Sequence, residues 1–458
     1  MPPIIASVSG VRGIVGDSLT PENIVKYTSA FAEYCRKTGK SNKIIVGRDG
    51  RLHGDVVQSV VVSVLRMSGF DAVDIGIAPT PTVQIATEDS KAAGGISITA
   101  SHNPQIWNGL KFLNPDGTFL DVKQVGKFLS VAEKGNFKYA DIDNIGSLIY
   151  EKGWTDRHIA KVLKLRLLNA KKISKRKLKV VVDAVNASGS EIVPKLLRKL
   201  GCKVIPLYCD GSGVFPHMPE PLPHNLKALC NAVKSHKADL GISVDPDADR
   251  LVLITDKGKP YGEENTIATV VNYVLKNSPK SKQSVTVNLS TTRAVEDVAM
   301  RYGAKVYRSP VGEINVVKKM QSNGSVAGGE GSGGVILPAL HYGRDAMVGI
   351  ALVLSEFADH KGKVSDYKKK ELPQYHITKD KMENVKDPDG ILKKVVEKYK
   401  KEDCRITLTD GVKLDFPGYW IHLRKSNTEP IIRIITEAPT EKEAEGIQSR
   451  FLLMLKKI

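Results

Sequence analysis

The sequence predicts an α/β protein of three similar α/β domains with mixed sheets, followed by a C-terminal α+β domain. A segment that occurs three times and a tail with a different pattern carry that expectation. The first copy runs KIIVGRDGR, a helical stretch ending SVLRMSG, then FDAVDIGI; the second runs LKVVVDAVNASGS, EIVPKLLRKLG and CKVIPLY; the third runs SVTVNLSTTR, AVEDVAMRYG and AKVYRSP. Each is a β-rich apolar run, a polar turn, an amphipathic helix closed by glycine (Gly69, Gly201, Gly303) and a second β-run, which is the pattern of a βαβ unit. Right-handed crossovers of this kind build sheets flanked by helices, and ligands gather beyond the carboxyl ends of the strands.

A further short strand follows in each copy and ends in a different loop: GGISITASHNP, LGISVDPDADR and GSVAGGEGSGG. From about residue 366 the pattern changes. ITLTDGVKLDF has the Asp-Gly of a tight hairpin, and YWIHLRKSNTEPIIRIITEA gives two strand-like runs around a polar loop. A last helix starts at a capping box, Thr440 to Glu443. The expected domains are 1–152, 153–256, 257–365 and 366–458, with the Lys-rich stretch from Lys361 to Lys370 as the hinge, because it has little apolar surface to pack.

Composition narrows the classes of function. The 458 residues are 41% hydrophobic and 26% charged, and no run approaches the roughly 20 apolar residues of a membrane span. A soluble protein is expected. The start, MPPIIASVSG, lacks the basic end and apolar core of a signal peptide, so a cytoplasmic location is expected. Five cysteines without CxxC spacing argue against a disulfide framework or a zinc site. The net charge of +18 comes from lysines dispersed along the chain without interleaved aromatics, which reads as a solvated basic surface rather than a nucleic-acid site. It would steer small anions such as sugar phosphates.

The loops carry the chemistry. SVDPDADR sets Asp245, Asp247 and Asp249 at alternate positions; carboxylates so close repel one another unless a cation lies among them, and hard oxygen donors suit Mg²⁺. An EF-hand would need glycine and glutamate where this chain has Arg250 and Asp256. A haloacid-type phosphatase, with an aspartate nucleophile, and a solvated acidic turn are the other readings. RKSNTEP offers Arg424, Lys425, Ser426 and Thr428 in a turn, with Arg433 one strand further on, and suits a phosphate as well as an ordinary turn. GGEGSGG combines glycines that let a backbone approach a ligand with Glu330 and Ser332, which suits a polyhydroxyl ligand or a plain flexible loop. No GKS or GKT follows it, so it is not a P-loop. In ITASHNP, Ser101 needs a base or a metal to become a nucleophile, and the aspartates supply the metal. His102 is expected to be positional, since neighbours in an extended turn point apart.

TASHNP, DPDADR, GEGSGG and RKSNTEP, in this order and spacing, resemble the four active-site loops of the α-D-phosphohexomutases, over essentially the whole chain. SGVRG (9–13), NGLK (108–111) and SPVGE (309–313) resemble further segments of that family. The resemblance implies four domains around a central cleft, one loop from each. It implies that Ser101 carries a phosphoryl group and, with Asp245, Asp247 and Asp249, holds one Mg²⁺. Glu330, Ser332 and Gly312 would meet the sugar. Arg424, Ser426, Asn427, Thr428 and Arg433 would bind the non-transferring phosphate, and Arg12, Lys111 and Arg250 would line the transfer site. A sugar bisphosphate would serve as activator. Hexose or hexosamine phosphates are the expected partners of a monomer or homodimer, with neither nucleic acid nor membrane. Phosphomannomutases and bacterial phosphoglucosamine mutases close the sugar loop as GExSGH, where this chain has Gly334. GEGSGG and Glu313 are similar to the archaeal-type phosphoglucosamine mutases, so glucosamine phosphate is the expected substrate, with mannose and glucose phosphates as the alternative. A metal-dependent sugar phosphatase or a non-catalytic sugar-phosphate binder are the readings from other classes.

Overall fold

The computed structural model describes residues 3–38, 40–279, 283–426 and 430–457. Four sheets are formed, and the first three share one plan. In the first, Lys43–Arg48 pairs in parallel with Asp71–Ile77 and with Gly94–Ile98, and Gly94–Ile98 turns back antiparallel into Trp107–Leu113. In the second, Lys179–Asp183 pairs in parallel with Lys203–Tyr208 and Leu240–Val244, which turns back into Leu251–Thr255. In the third, Ser284–Asn288 pairs in parallel with Lys305–Ser309 and Ala327–Glu330, which turns back into Gly334–Ile336. The three unusual loops are therefore the same structural feature three times: the hairpin tip at the carboxyl end of the third strand. Extra strands at both edges widen the first sheet to seven.

Each crossover helix buries one stripe, as its apolar spacing requires. Gly54–Met67 buries Val57, Val61 and Leu65, and Gly189–Lys199 buries Ile192, Val193, Leu196 and Leu197. The helix Ala346–Asp359 differs, because nearly all of its residues are buried. It packs against Glu263–Asn277 and Ala170–Arg176, so the second and third units share one apolar core running from Ile159 to Leu372. The fourth sheet is antiparallel throughout and has its own core, capped by Pro388–Tyr399 and Glu441–Lys457.

The tail follows the expected grammar with two differences. Thr440 and Glu443 form the capping box, with Glu443 N donating to Thr440 Oγ1 at 3.3 Å and Thr440 N to Glu443 Oε2 at 3.1 Å. The TDG hairpin forms, but its last pair is Thr407 with Lys413, so the turn is wider than a two-residue connection. The Lys-rich stretch is not a free hinge. Val364–Glu371 is a helix in which Lys369 and Lys370 are exposed and Lys368 half-buried while Val364 and Tyr367 are buried, and the Tyr367 hydroxyl donates to Glu356 at 3.1 Å. Spaced apolar residues outweigh the composition around them. Tyr375 still packs on the shared core, and the chain enters the fourth sheet at His376. No helix among the described residues is long and apolar enough to cross a membrane.

Candidate active site

A cavity of about 800 Å³ opens where the hairpin tips meet, and its wall takes residues from all four units, the second giving only the loop residues Glu220 and Arg250. Ser101, Arg12, Lys111, Arg250, Gly312, Glu330, Ser332, Arg424 and Arg433 all line it. The three aspartates lie beneath, fully buried.

Ser101 sits just past Gly94–Ile98 with a left-handed backbone, φ 49°, a conformation that costs a non-glycine residue about 1–3 kcal/mol unless its surroundings impose it. Arg51 imposes it. This buried guanidinium donates to the carbonyls of Ser101 (2.5 Å), Asn103 (3.1 Å), Pro104 (2.9 Å) and Trp107 (2.9 Å) and pairs with Asp49 at 2.9 Å. Asp49 in turn accepts from Thr99 Oγ1 at 2.7 Å, and Thr99 Oγ1 accepts from Ser101 N at 2.8 Å. Breaking a buried ion pair from one side costs about 3–5 kcal/mol, so Arg51→Met is expected to lower denaturant stability by that order and to lower kcat as the loop relaxes. Unchanged stability and kcat would remove Arg51 from this role.

The left-handed turn also corrects the geometry expected at His102, whose ring an extended turn would point away from Ser101. The backbone is not extended at Ser101, and His102 Nδ1 lies 3.3 Å from Ser101 Oγ. Neighbouring Arg250, burial and Arg12 push the imidazole well below its ordinary pKa, so the ring that faces the serine is neutral.

Ser101 Oγ donates to Asp245 Oδ2 at 3.0 Å. Asp245, Asp247 and Asp249 each offer an oxygen, all within 4.8 Å of one another. Asp245 Oδ1 accepts from Arg250 N at 3.1 Å. Asp247 Oδ2 accepts from Thr80 Oγ1 and from Lys111 Nζ, both at 2.6 Å. Asp249 Oδ2 accepts from Arg344 at 2.6 Å. The remaining oxygens, Asp247 Oδ1 and Asp249 Oδ1, are buried with no hydrogen bond among the described residues, which is costly for a carboxylate. Burial, then Asp249 and Asp247, push Asp245 well above the usual carboxylate range. Against the pull of burial, Arg344 and Lys111 hold Asp249 below it. Crowded carboxylates with unmatched oxygens fit a hard divalent cation.

The sugar-loop candidates lie opposite. Glu330 Oε1 accepts from Asn288 Nδ2 at 2.8 Å and Gly312 N at 2.9 Å, and Oε2 accepts from Arg344 at 2.5 Å. Glu313 begins the helix Glu313–Asn323, accepts from Gln84 Nε2 at 3.2 Å and lies 3.1 Å from Arg344; burial pushes its carboxyl up to about 7. Glu264 accepts from Thr292 N at 2.9 Å and lies where any side chain at Gly331 would stand; burial pushes it up to about 8.

At the far end, Arg424 and Arg433 face each other across an antiparallel pair. Arg424 pairs with Asp410 at 2.9 Å, and Asp410 accepts from Val311 N at 2.8 Å, tying the fourth sheet to the SPVGE segment. Ser426 N donates to Ile431 O at 3.0 Å, closing the turn. Asn427 and Thr428 lie outside the described residues. Arg12, whose guanidinium donates to Asn103 Oδ1 at 3.1 Å, is pushed below its ordinary pKa by burial and by Arg250; two guanidiniums facing one space suit an anion between them. Sequence reasoning missed Arg51, Thr80, Glu264 and Arg344. Only Arg51, in the polar turn GRDGR, stands next to a visible signal.

Comparisons with known proteins agree along the chain. Residues 4–138, 156–258 and 263–375 match alpha/beta/alpha domains I, II and III of phosphoglucomutase/phosphomannomutase, and residues 363–454 match its C-terminal domain. A phosphoglucomutase/phosphomannomutase of Thermococcus kodakarensis is 38% identical over 437 residues, covering 95% of this chain and 94% of that one. A protein of Methanopyrus kandleri named as a probable phosphoglucosamine mutase is 34% identical over 451 residues, covering 97% and 96%. The crystal structure of a phosphoglucomutase/phosphomannomutase family protein from Burkholderia thailandensis superposes with a TM-score of 0.84 at 26% identity, covering 99% and 98%. Four matches in the family's own order, and relatives aligned almost end to end, leave one conclusion: this chain belongs to the phosphoglucomutase/phosphomannomutase family of α-D-phosphohexomutases.

Proposed function

We propose that the protein interconverts hexose 1-phosphates and 6-phosphates through a phosphorylated Ser101 and a bisphosphorylated sugar, with glucosamine phosphate as the preferred substrate. The observation that carries the reading is Ser101 Oγ 3.0 Å from Asp245 in a buried three-aspartate cluster, on a cavity whose far wall holds two opposed arginines. A phosphatase needs the first half of that arrangement and a binder only the second.

In the first transfer the bond from phosphorus to Ser101 Oγ breaks, and one to the free sugar hydroxyl forms. Ser101 Oγ keeps the electron pair of the broken bond and takes up the proton that the hydroxyl gives, so a free serine hydroxyl and a sugar bisphosphate result. That intermediate turns over in the cleft and returns its other phosphate to Ser101, so the enzyme ends as it began. Arg12, Lys111 and Arg250 line the transfer end, where cations stabilise a loose phosphoryl transition state. Asp245, Asp247 and Asp249 with Ser101 would hold Mg²⁺, which when bound neutralises charge on the moving group. Glu330, Ser332 and Gly312 meet the sugar hydroxyls, and Arg424, Ser426 and Arg433 hold the phosphate that stays, with Asn427 and Thr428 assigned to the same task from the RKSNTEP motif.

Relatives carry both kinds of sugar in their names; GEGSGG and Glu313 favour glucosamine here. Glu313 lies on the cavity wall, where its carboxylate can attract the ammonium at C2. The test is kcat/KM for glucosamine, glucose and mannose phosphates with Mg²⁺ and catalytic sugar bisphosphate, with free phosphate followed in parallel. Preference for glucosamine phosphate is expected, with little phosphate released. Glu313→Gln is expected to shrink that preference about tenfold, the value of one charge-assisted contact. A preference that survives the substitution assigns the selectivity elsewhere, and stoichiometric phosphate release would mark a phosphatase.

A further inference from the structure

Arg344 belongs to none of the four loop motifs, yet its guanidinium touches three carboxylates: Asp249 at 2.6 Å, Glu330 at 2.5 Å and Glu313 at 3.1 Å. One side chain thus joins the cation loop, the sugar loop and the SPVGE segment. It takes Asp249 by Oδ2 and leaves Oδ1 buried with no hydrogen bond among the described residues, and it takes Glu330 by Oε2 while Asn288 and Gly312 hold Oε1. The backbone makes a parallel connection, for Leu251 N donates to Gly333 O at 2.9 Å and Arg250 bridges Gly334.

The residue at 334 decides whether Arg344 can reach this place. A Cβ on Gly334 would lie 2.3 Å from Arg344 Cδ and 3.0 Å from Cγ. Gly334 does not have a left-handed backbone, so the glycine supplies space, not conformational freedom. The stem it would strike cannot swing away, because the head is fixed by three carboxylates and a guanidinium meets paired oxygens in a rigid geometry.

We infer that Arg344 is the positioning residue that holds the sugar loop in register with the cation loop, and that the missing side chain at Gly334 is what admits it. This rests on the reading of those loops given under the proposed function. The experiment is calorimetric binding of glucosamine 6-phosphate and glucose 6-phosphate to Ser101→Ala protein, alone and with Arg344→Met, Arg344→Lys, Gly334→Ala and the Gly334→Ala/Arg344→Met pair. Arg344→Met keeps the apolar stem and is expected to weaken binding about tenfold at unchanged stoichiometry, with Arg344→Lys in between. Gly334→Ala is expected to weaken it similarly, and the pair no further than Arg344→Met alone, since residues acting through one contact are not additive. Unchanged affinity in Arg344→Met, a loss of competent protein with no change in affinity, or two effects that add would each overturn the inference. Should Arg344→Met fail to fold, Arg344→Lys against Gly334→Ala decides by the same criteria. A parent protein that binds neither sugar phosphate removes the reading of the site and this inference with it, and the parent's own failure identifies that case.

Discussion

Ser101→Ala is expected to lower mutase turnover by a factor on the order of 10⁴ or more, as loss of a covalent nucleophile does, while leaving the fold intact. Among the described residues the Ser101 hydroxyl bonds to Asp245 at 3.0 Å and, more loosely, to His102 Nδ1 at 3.3 Å, and the loop is held from below by Arg51 through backbone carbonyls. Alanine keeps all of that scaffold. Incubation with sugar bisphosphate carrying labelled phosphate is therefore expected to label the parent protein at a single site and the variant not at all. A variant that still turns over, or that takes up label, would move the phosphoryl carrier elsewhere and take the proposed reaction with it.

Neutralising one of the buried aspartates is expected to separate activity from stability. Asp245→Asn removes one of the proposed cation ligands, and a loss of about 10²–10³-fold in kcat is expected, the range for removing one electrostatic contact to a developing charge. In Mg²⁺-free buffer the same change relieves the repulsion among three carboxylates buried within 4.8 Å, so Tm is expected to rise or hold. Mg²⁺ should raise the parent's Tm by linkage and the variant's by much less. Chelation should silence the parent, and added Mg²⁺ should restore it. An Asp245→Asn protein with near-parent kcat, or a parent indifferent to chelation, would remove the cation from the reaction.

The parts of this molecule that the sequence displays are those encoded locally. A strand, a turn and a helix ended by glycine follow one another within a short stretch of chain, and three copies make the pattern plain; the loops are legible because their unusual residues are contiguous. What lies hidden is encoded by distance. Arg344 meets Asp249 across 95 positions, and Arg51 meets Ser101 across 50, and nothing in the residues beside Arg344 announces a tripartite contact. The Lys361 to Lys370 stretch misleads for the opposite reason: its abundant lysines mask two apolar residues, Val364 and Tyr367, that decide its packing. The direction of the His102 ring is misjudged because the extended-turn rule fails at one left-handed residue.

The common position of the three hairpin tips bears on how such a protein can change over generations. Each tip is joined to its own copy of the scaffold by two strand ends and contributes little to the apolar layers behind it. The tips still meet one another, Ser101 Oγ with Asp245 and Arg344 with both Asp249 and Glu330, so a change at one tip is felt by its neighbours while the sheets behind stay as they are. A duplicated architecture of this kind keeps its scaffold constant and confines variation to three loops, which then have to change in step with one another wherever they touch.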